Sequence, residues 1–349
     1  MDSKSSVPGD ARRRSQPTID DVADAAGVST ATISRTLNEP HRVSDKTRAR
    51  VMATVERLGY QPNFSAKALA ANKSGTVGAI IPTMDNAIFA RGLQAFQEQL
   101  GDDGYTLLVA SSSYQPDLEA QQVRNLIARG VDALLLIGHD RHPDIYQMLQ
   151  SRSLPFVNAW TFNPEHDVAS VGFDNRAAMR VLTKEILANG HRSLGVISAP
   201  RQHNDRARER VEGVLEAIKS AGLSTGDVPI LEVNYSIGNG AEAFAELMQR
   251  SQPPTAVICG NDVLAVGALG KAKQLGLSVP GDVSITGFDD IELAQISSPP
   301  LTTVHVPHRK MGRQAAKLLV KLIEGTDTPL QFELPTDIVS RETLGKAPG

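Results

Sequence analysis

Three groups of residues have types and spacing suited to chemistry. The first is VSTATISRTLN, residues 28–38. Arg35 carries a planar fork of donors that matches guanine O6 and N7. Thr30 and Ala31 are small enough to let a helix start enter a major groove. By spacing alone the stretch is equally an ordinary surface helix, with Ile33 and Leu37 as a thin apolar stripe. The second group is Arg210, Asn261 and Asp289. Asn261 and Asp262 follow the apolar run AVICG and open a helix; Asp289 and Asp290 follow VSITGF; Arg210 follows the loop APRQHNDRARE. Ligands of open α/β sheets bind beyond the carboxyl ends of strands. An Asn, an Asp and the fixed donor fork of Arg suit a ligand rich in hydroxyls or amines. Taken singly, Asp289 reads as a helix cap and Arg210 as a surface ion pair. The third group is HDRH, residues 139–142. It lacks a third firm ligand group, so it reads as a surface loop and no metal is expected. Cys259 reads as a buried thiol. There is no Gly-rich phosphate motif, no G-x-S-x-G elbow and no apparent nucleophile–base pair. Neither a cofactor nor an enzyme activity is therefore expected.

The elements that must hold these groups follow from local pattern. Residues 17–60 read as three short helices. Thr18 and Asp21 have capping-box spacing, and Ile19, Val22, Ala23 and Ala26 form one apolar face. Gly27 supplies the left-handed turn, Ser29 or Thr30 caps the second helix, and Ser44 caps a third with Val51, Val55 and Leu58 inward. Two helices on a tight Gly turn with a third closing the core is helix-turn-helix architecture. Residues 61–75 form a connector. Pro62 breaks the preceding helix, and Ser65 to Ala71 span about two helical turns, too short to be stable alone. From Thr76 onward, apolar runs alternate with amphipathic helices. The runs are 76–82, 105–110, 133–138, 156–159, 194–198, 230–233, 256–260 and 283–288; the helices include 118–129, 177–188, 210–221 and 263–275. This pattern predicts parallel sheets covered on both faces, in two Rossmann-like lobes.

Composition narrows the classes further. The 349 residues are 41% hydrophobic and 21% charged, a globular balance. The net charge of −3 conceals a split: residues 1–75 carry 12 Lys/Arg against 8 Asp/Glu, and the remainder 24 against 31. A basic head on an acidic body points toward a polyanion at the head. One cysteine allows no internal disulfide and fits a reducing cytosol. The first residues hold no secretory h-region, and no apolar run is long enough to span a membrane. Residues 1–16, with Arg12, Arg13 and Arg14, read as a disordered tail.

The blocks TIDDVADAAGVSTATISRTLN, VSDKTRARV and LGYQPN, and then PPLTTVHVP, GNDVLAVGAL, ITGFDD and LPTDIVSRETL, closely resemble the LacI/GalR family of bacterial transcription regulators over residues 17–345. The resemblance implies a helix-turn-helix domain (17–62), a hinge helix or linker (63–75) and an effector-binding and dimerisation domain (76–345). That domain has a periplasmic-binding-protein-like type I fold, its N-lobe about 76–174 and 305–333, its C-lobe about 175–304 and 334–345. It implies base-reading positions at Thr30, Ala31 and Arg35, with Thr32, Ser34 and Asn38 nearer the backbone and Arg42 in the following loop. In the hinge, Leu69 holds the position of a minor-groove wedge, flanked by Asn63, Ser65, Ala66, Lys67 and Ala70; without the helices before it, Leu69 is only a linker leucine. Effector contacts are implied at Arg210, Asn261 and Asp289. Less firmly matched are Ile88 and Phe89, where the usual preceding Pro is Ala87, and Trp160, where many members carry Asp. Trp160 is either a ring for a sugar face or a core residue. Asn204 and Arg206 fall in a variable ligand-facing loop.

The expected protein is a cytoplasmic repressor acting as a homodimer on a pseudo-palindromic operator, its affinity set by a small-molecule effector, a sugar or sugar derivative. A purine-type corepressor-dependent regulator is the alternative within the family. A soluble sugar receptor without DNA function is the alternative outside it, and predicts a secretion signal and no helix-turn-helix. No heptad segment follows the last strand, so a tail-made tetramer is not expected.

Overall fold

The computed structural model describes residues 17–61, 73–85 and 87–348. They fall into two compact units, one ending at Ser74 and the other beginning at Gly75. The hinge residues Asn63, Ser65, Ala66, Lys67, Leu69 and Ala70, and the tail 1–16, lie outside the described residues.

The first unit contains α1 (Ile19–Ala26), α2 (Thr30–Asn38), a 3-10 turn (Pro40–Arg42) and α3 (Asp45–Leu58). Local chemistry sets each boundary. The Thr18 hydroxyl accepts from the Asp21 amide while the Asp21 carboxylate accepts from Thr18, closing a capping box. Gly27 takes φ +63°, the left-handed turn that lets α2 begin three residues later. Ser29, not Thr30, caps α2 through the Thr32 amide, and Ser44 caps α3 through that of Thr47. Val22, Ala23, Ala26, Ile33, Val51 and Tyr60 fill the core, with Leu37, Val55 and Leu58 packed partly against it.

The second unit holds two six-stranded sheets. The first runs β11-β5-β4-β3-β1-β2, from β1 (Thr76–Ile81), β2 (Thr106–Ser111), β3 (Ala133–Ile137), β4 (Phe156–Ala159), β5 (Ser170–Gly172) and β11 (Gln331–Glu333). The second runs β12-β10-β9-β8-β6-β7, from β6 (Leu194–Ser198), β7 (Ile230–Glu232), β8 (Ala256–Cys259), β9 (Ser284–Asp289), β10 (Thr302–His305) and β12 (Asp337–Val339). Every pairing is parallel except β10 with β12. The helices are α4 (Ala87–Asp102), α5 (Pro116–Ala128), α6 (Pro143–Ser151), α7 (Asn175–Ala188), α8 (Asp205–Ser220), α9 (Ile237–Met248), α10 (Asp262–Gln274), α11 (Glu292–Ile296) and α12 (His308–Glu324). The central strands β3, β6, β8 and β9 are buried throughout, as continuous apolar runs covered on both faces must be.

The chain changes lobe three times: after β5, after β10 and after β11. Helix α12 thus returns to the first lobe and packs on α4. A Cβ on Gly312 would collide with the Gly92 carbonyl, so these two glycines allow the close approach. Strands β5, β10, β11 and β12 are only three or four residues long and mix polar with apolar residues, so none shows as an apolar run. Helix α8 starts at Asp205, not at Arg210. Asn204 caps it by accepting from the Ala207 amide, so the second half of the stretch read as a loop, from Asp205, is helix.

Candidate functional site

On α2, Ala31, Ser34, Arg35 and Asn38 are exposed and share one face by their three- and four-residue spacing. Thr30 and Thr32 are half-buried. The Thr32 hydroxyl lies 3.0 Å from that of Ser29, and the Asn38 amide donates to the Ser34 carbonyl at 2.9 Å, so both serve the helix itself. Thr36 is buried and donates back to the Thr32 carbonyl, which keeps it out of the exposed face. Arg35 has no ion-pair partner among the described residues, whereas Arg42 reaches Glu39 at 2.9 Å, both exposed. The Asn38 amide also reaches the Ser34 hydroxyl at 3.4 Å, so the groups left free on this face are the Ala31 methyl and the Arg35 guanidinium.

In the second unit, strand ends bring the other group together. Arg210, in the second turn of α8, is buried and held on four sides. Its Nε donates to Asn175 Oδ1 at 2.8 Å, Nη1 donates to the Gly260 carbonyl at 2.7 Å, Nη2 lies 3.6 Å from Asp289 Oδ1, and the guanidinium sits 3.8 Å over the Phe288 ring. Asp289 closes β9, is fully buried, and takes φ +104°. Among the described residues, neither of its carboxylate oxygens has a hydrogen-bond partner. Asn261 caps α10 by accepting from the Leu264 amide at 2.9 Å, which leaves its Nδ2 buried and unpartnered. Unpartnered buried polar atoms are rare and each calls for a partner. A donor at Asn261 and two acceptors at Asp289 are together satisfied by hydroxyls, which donate and accept.

Trp160 directly follows β4 at φ +61° and is 1% exposed, its Nε1 without a hydrogen-bond partner among the described residues. It packs edge-on to Phe89, ring centroids 5.4 Å apart, and lies 6.2 Å from His308. Its ring is thus committed to the first lobe's core. Ile88 packs across the lobes on Val263 and Ile291. Tyr114 and Tyr235, not singled out by the sequence, stand 6.1 Å apart and line a cavity of about 390 Å³ with Thr83, Asn204 and Asn234. Burial pushes both phenol pKa values up, and both rings sense the charges of Arg210 and Asp289. No motif marks them; only their position after β2 and β7 could have.

Several candidates have other duties. Asp262 accepts from Thr303 Oγ1 at 2.5 Å and from the Ile291 amide at 2.8 Å; Asp290 pairs with His305 at 2.9 Å and Arg341 at 2.6 Å; Arg206 pairs with Asp205 at 2.7 Å. Residues 139–142 are not a plain surface loop. The His139 amide donates to Asp205 at 2.5 Å, Asp140 grips Arg208 through two bonds, and the Arg141 side chain is fully buried. The loop latches one lobe to the other. Cys259 is buried, and its pKa is pushed up by burial. Among the described residues no group of three or more His, Cys, Asp or Glu could hold a metal, and no helix is long and apolar enough to cross a membrane.

Burial raises the Asp289 pKa to about 6 from an ordinary 3.8, outweighing the pull of Arg210. With the folded value raised, the linked stability is full below the unfolded value and is lost as pH rises through about 6. Asp289→Asn removes the penalty. At pH 7 the variant should gain stability, at most on the order of 3 kcal/mol, and near pH 4 almost none. Urea denaturation at both pH values checks this; an equal effect at both would show that the charge is not the cause.

Comparison with known proteins places both sites in one context. Residues 18–63 match the family model described as bacterial regulatory proteins, lacI family, and residues 74–342 match that of periplasmic binding proteins and sugar binding domain of LacI family. The chain is 34% identical to the HTH-type transcriptional repressor CytR of Escherichia coli K12, over 90% of this chain and 92% of that protein. It is 32% identical to the HTH-type transcriptional repressor PurR of Vibrio campbellii, over 94% and 99% respectively. Among solved structures it resembles a LacI family transcriptional regulator from Silicibacter pomeroyi (TM-score 0.86, 29% identity, 95% of this chain and 100% of that one). It also resembles the lac repressor dimer bound to operator and the anti-inducer ONPF (TM-score 0.85, 25% identity, 95% and 100%).

Proposed function

The chain belongs to the lacI family of bacterial regulatory proteins and is a DNA-binding transcription regulator, and from that premise we propose that a hydroxyl-rich small molecule, a sugar or sugar derivative, sets its operator affinity from the cleft of the second unit. The observation that carries this reading is Asp289, a fully buried carboxylate with both oxygens unpartnered beside the buried Arg210. Asn261 Nδ2 supplies a donor to the same ligand, and Tyr114 and Tyr235 line the cavity of about 390 Å³ nearby, close enough to sense the charges of Arg210 and Asp289. Ile88, Phe89 and Trp160 support the pocket from behind by packing.

At the other end, Arg35 makes the principal base contact, with Ala31 and the Thr30 methyl meeting thymine methyls. Ser34 and Arg42 track the phosphates, while Thr32 and Asn38 brace the reading helix beside them. Residues 17–62 form the reading domain, 63–75 the linker in which Asn63 and Lys67 flank a Leu69 wedge, and 76–345 the effector and dimerisation domain. The lac repressor it resembles was solved as a dimer on its operator; a homodimer here places two copies of α2 on a pseudo-palindrome, in the cytoplasm where the chromosome lies.

A gel shift on DNA upstream of the protein's own gene, with and without monosaccharides, tests the reading. A specific complex whose affinity changes with one sugar is expected. A specific complex that no sugar or nucleobase alters would sink the effector half, and no specific complex under any condition the regulator half.

A further inference from the structure

Between the effector-facing arginine and the first lobe stands one side chain with no role so far. Asn175 is the first residue of α7, placed where the chain has just crossed from β5 into the second lobe. It is 4% exposed. Its amide is used at both ends: Oδ1 accepts from Arg210 Nε at 2.8 Å, and Nδ2 donates to the Trp160 carbonyl at 3.1 Å. Asp174, the cap of α7, holds the helix start in place by accepting from the Ala177 amide at 2.8 Å, so Asn175 is fixed from behind as well.

We propose that Asn175 is a positioning residue that couples the state of Arg210 in the second lobe to Trp160 in the first. The coupling rests on reading Arg210 and Asp289 as effector groups only for its biological use; the physical link does not depend on it. Trp160 is a non-glycine residue at φ +61°, a backbone conformation that costs energy unless neighbours enforce it. The bond from Asn175 holds the carbonyl of that same residue. The indole then bears on three parts of the first lobe. It meets Phe89 edge-on, it lies beside His308 at the start of α12, and it fills the space that a side chain at Gly92 would need. Phe89 and Gly92 are on α4, and α4 packs on α12. A change in how Arg210 is held is thus passed to the α4–α12 pair through the Asn175 amide, beside a parallel contact of His308 Nε2 with the Asp289 carbonyl at 3.2 Å. The link between Arg208 and Asp140 does not touch this route.

Trp160 is the only tryptophan in the 349 residues, so its emission reports this point alone. The full-length chain serves as the sample, and no effector is needed. Arg210→Ala should shift the Trp160 emission to longer wavelength, because Asn175 loses its donor and its hold on the Trp160 peptide loosens. In an Asn175→Ala background, already shifted, Arg210→Ala should add nothing. Asn175→Asp is the sharper variant. It suits the first turn of a helix, still accepts from Arg210, and has no donor for the Trp160 carbonyl; it too should abolish the response to Arg210→Ala. Arg208→Ala should leave the emission unchanged, and far-UV circular dichroism establishes folding for each variant. Unchanged emission in Arg210→Ala overturns the proposal, as does an equal shift with Asn175 intact and replaced, or a response that survives in Asn175→Asp. Because none of these readings involves a ligand, their failure is separable from failure of the effector reading, which ligand binding alone decides.

Discussion

Arg35→Ala should abolish specific operator binding while leaving weak, salt-sensitive binding to any duplex. A bidentate arginine–guanine contact discriminates by about 1–3 kcal/mol, and a twofold dimer makes it twice, so operator affinity should fall roughly 30-fold to 10⁴-fold. The residual binding comes from phosphate contacts, which the basic head of residues 1–75 supplies and which fall steeply with salt. Folding should be untouched, because the Arg35 side chain is exposed and the α2 cap and core residue Ile33 remain. Fluorescence anisotropy on operator and scrambled duplexes, at two salt concentrations, measures both components. Unchanged operator affinity would refute the guanine contact.

The second large effect lies at Asp289. Replacing it with Asn should make the regulator blind to its effector without weakening operator binding. Two ligand hydroxyls on one buried carboxylate are hydrogen bonds to a charged group, each about 1.5–3 kcal/mol, so effector affinity should drop roughly 10²- to 10⁴-fold. The same variant is expected to be the more stable protein at neutral pH. Holding a buried carboxylate without hydrogen bonds ready for a ligand thus costs the unliganded fold part of its stability. Calorimetric titration of the effector against both forms decides it; a normal response would show that the pocket lies elsewhere.

What the sequence made legible was whatever depends on near neighbours. The caps at Thr18, Ser29 and Ser44 and the turn at Gly27 are set within a few residues, and so the three helices could be read directly. Asn261 and Asp289 could be picked out because strand ends are visible as ends of apolar runs. Asn175, Tyr114 and Tyr235 could not, since their roles depend on which distant loops meet. The 139–142 loop was misread for the same reason: its partners Asp205 and Arg208 stand 66 and 68 residues away. The start of α8 was missed although Asn204 and Asp205 form an ordinary cap signal, because the Arg-rich turn that follows has no apolar stripe of its own.

The three crossings between lobes also govern how this protein can be made. Neither lobe is a continuous stretch of chain. The first lacks α12 and the edge strand β11 until residues 308–333 have been synthesised, and the second lacks β12 until residue 339. The reading helices, by contrast, are complete by residue 58. During translation the DNA-reading head can therefore fold long before the part that would regulate it. A chain broken off before residue 333 carries the three complete helices of the head and an incomplete second unit. The regulator gains its obedience last.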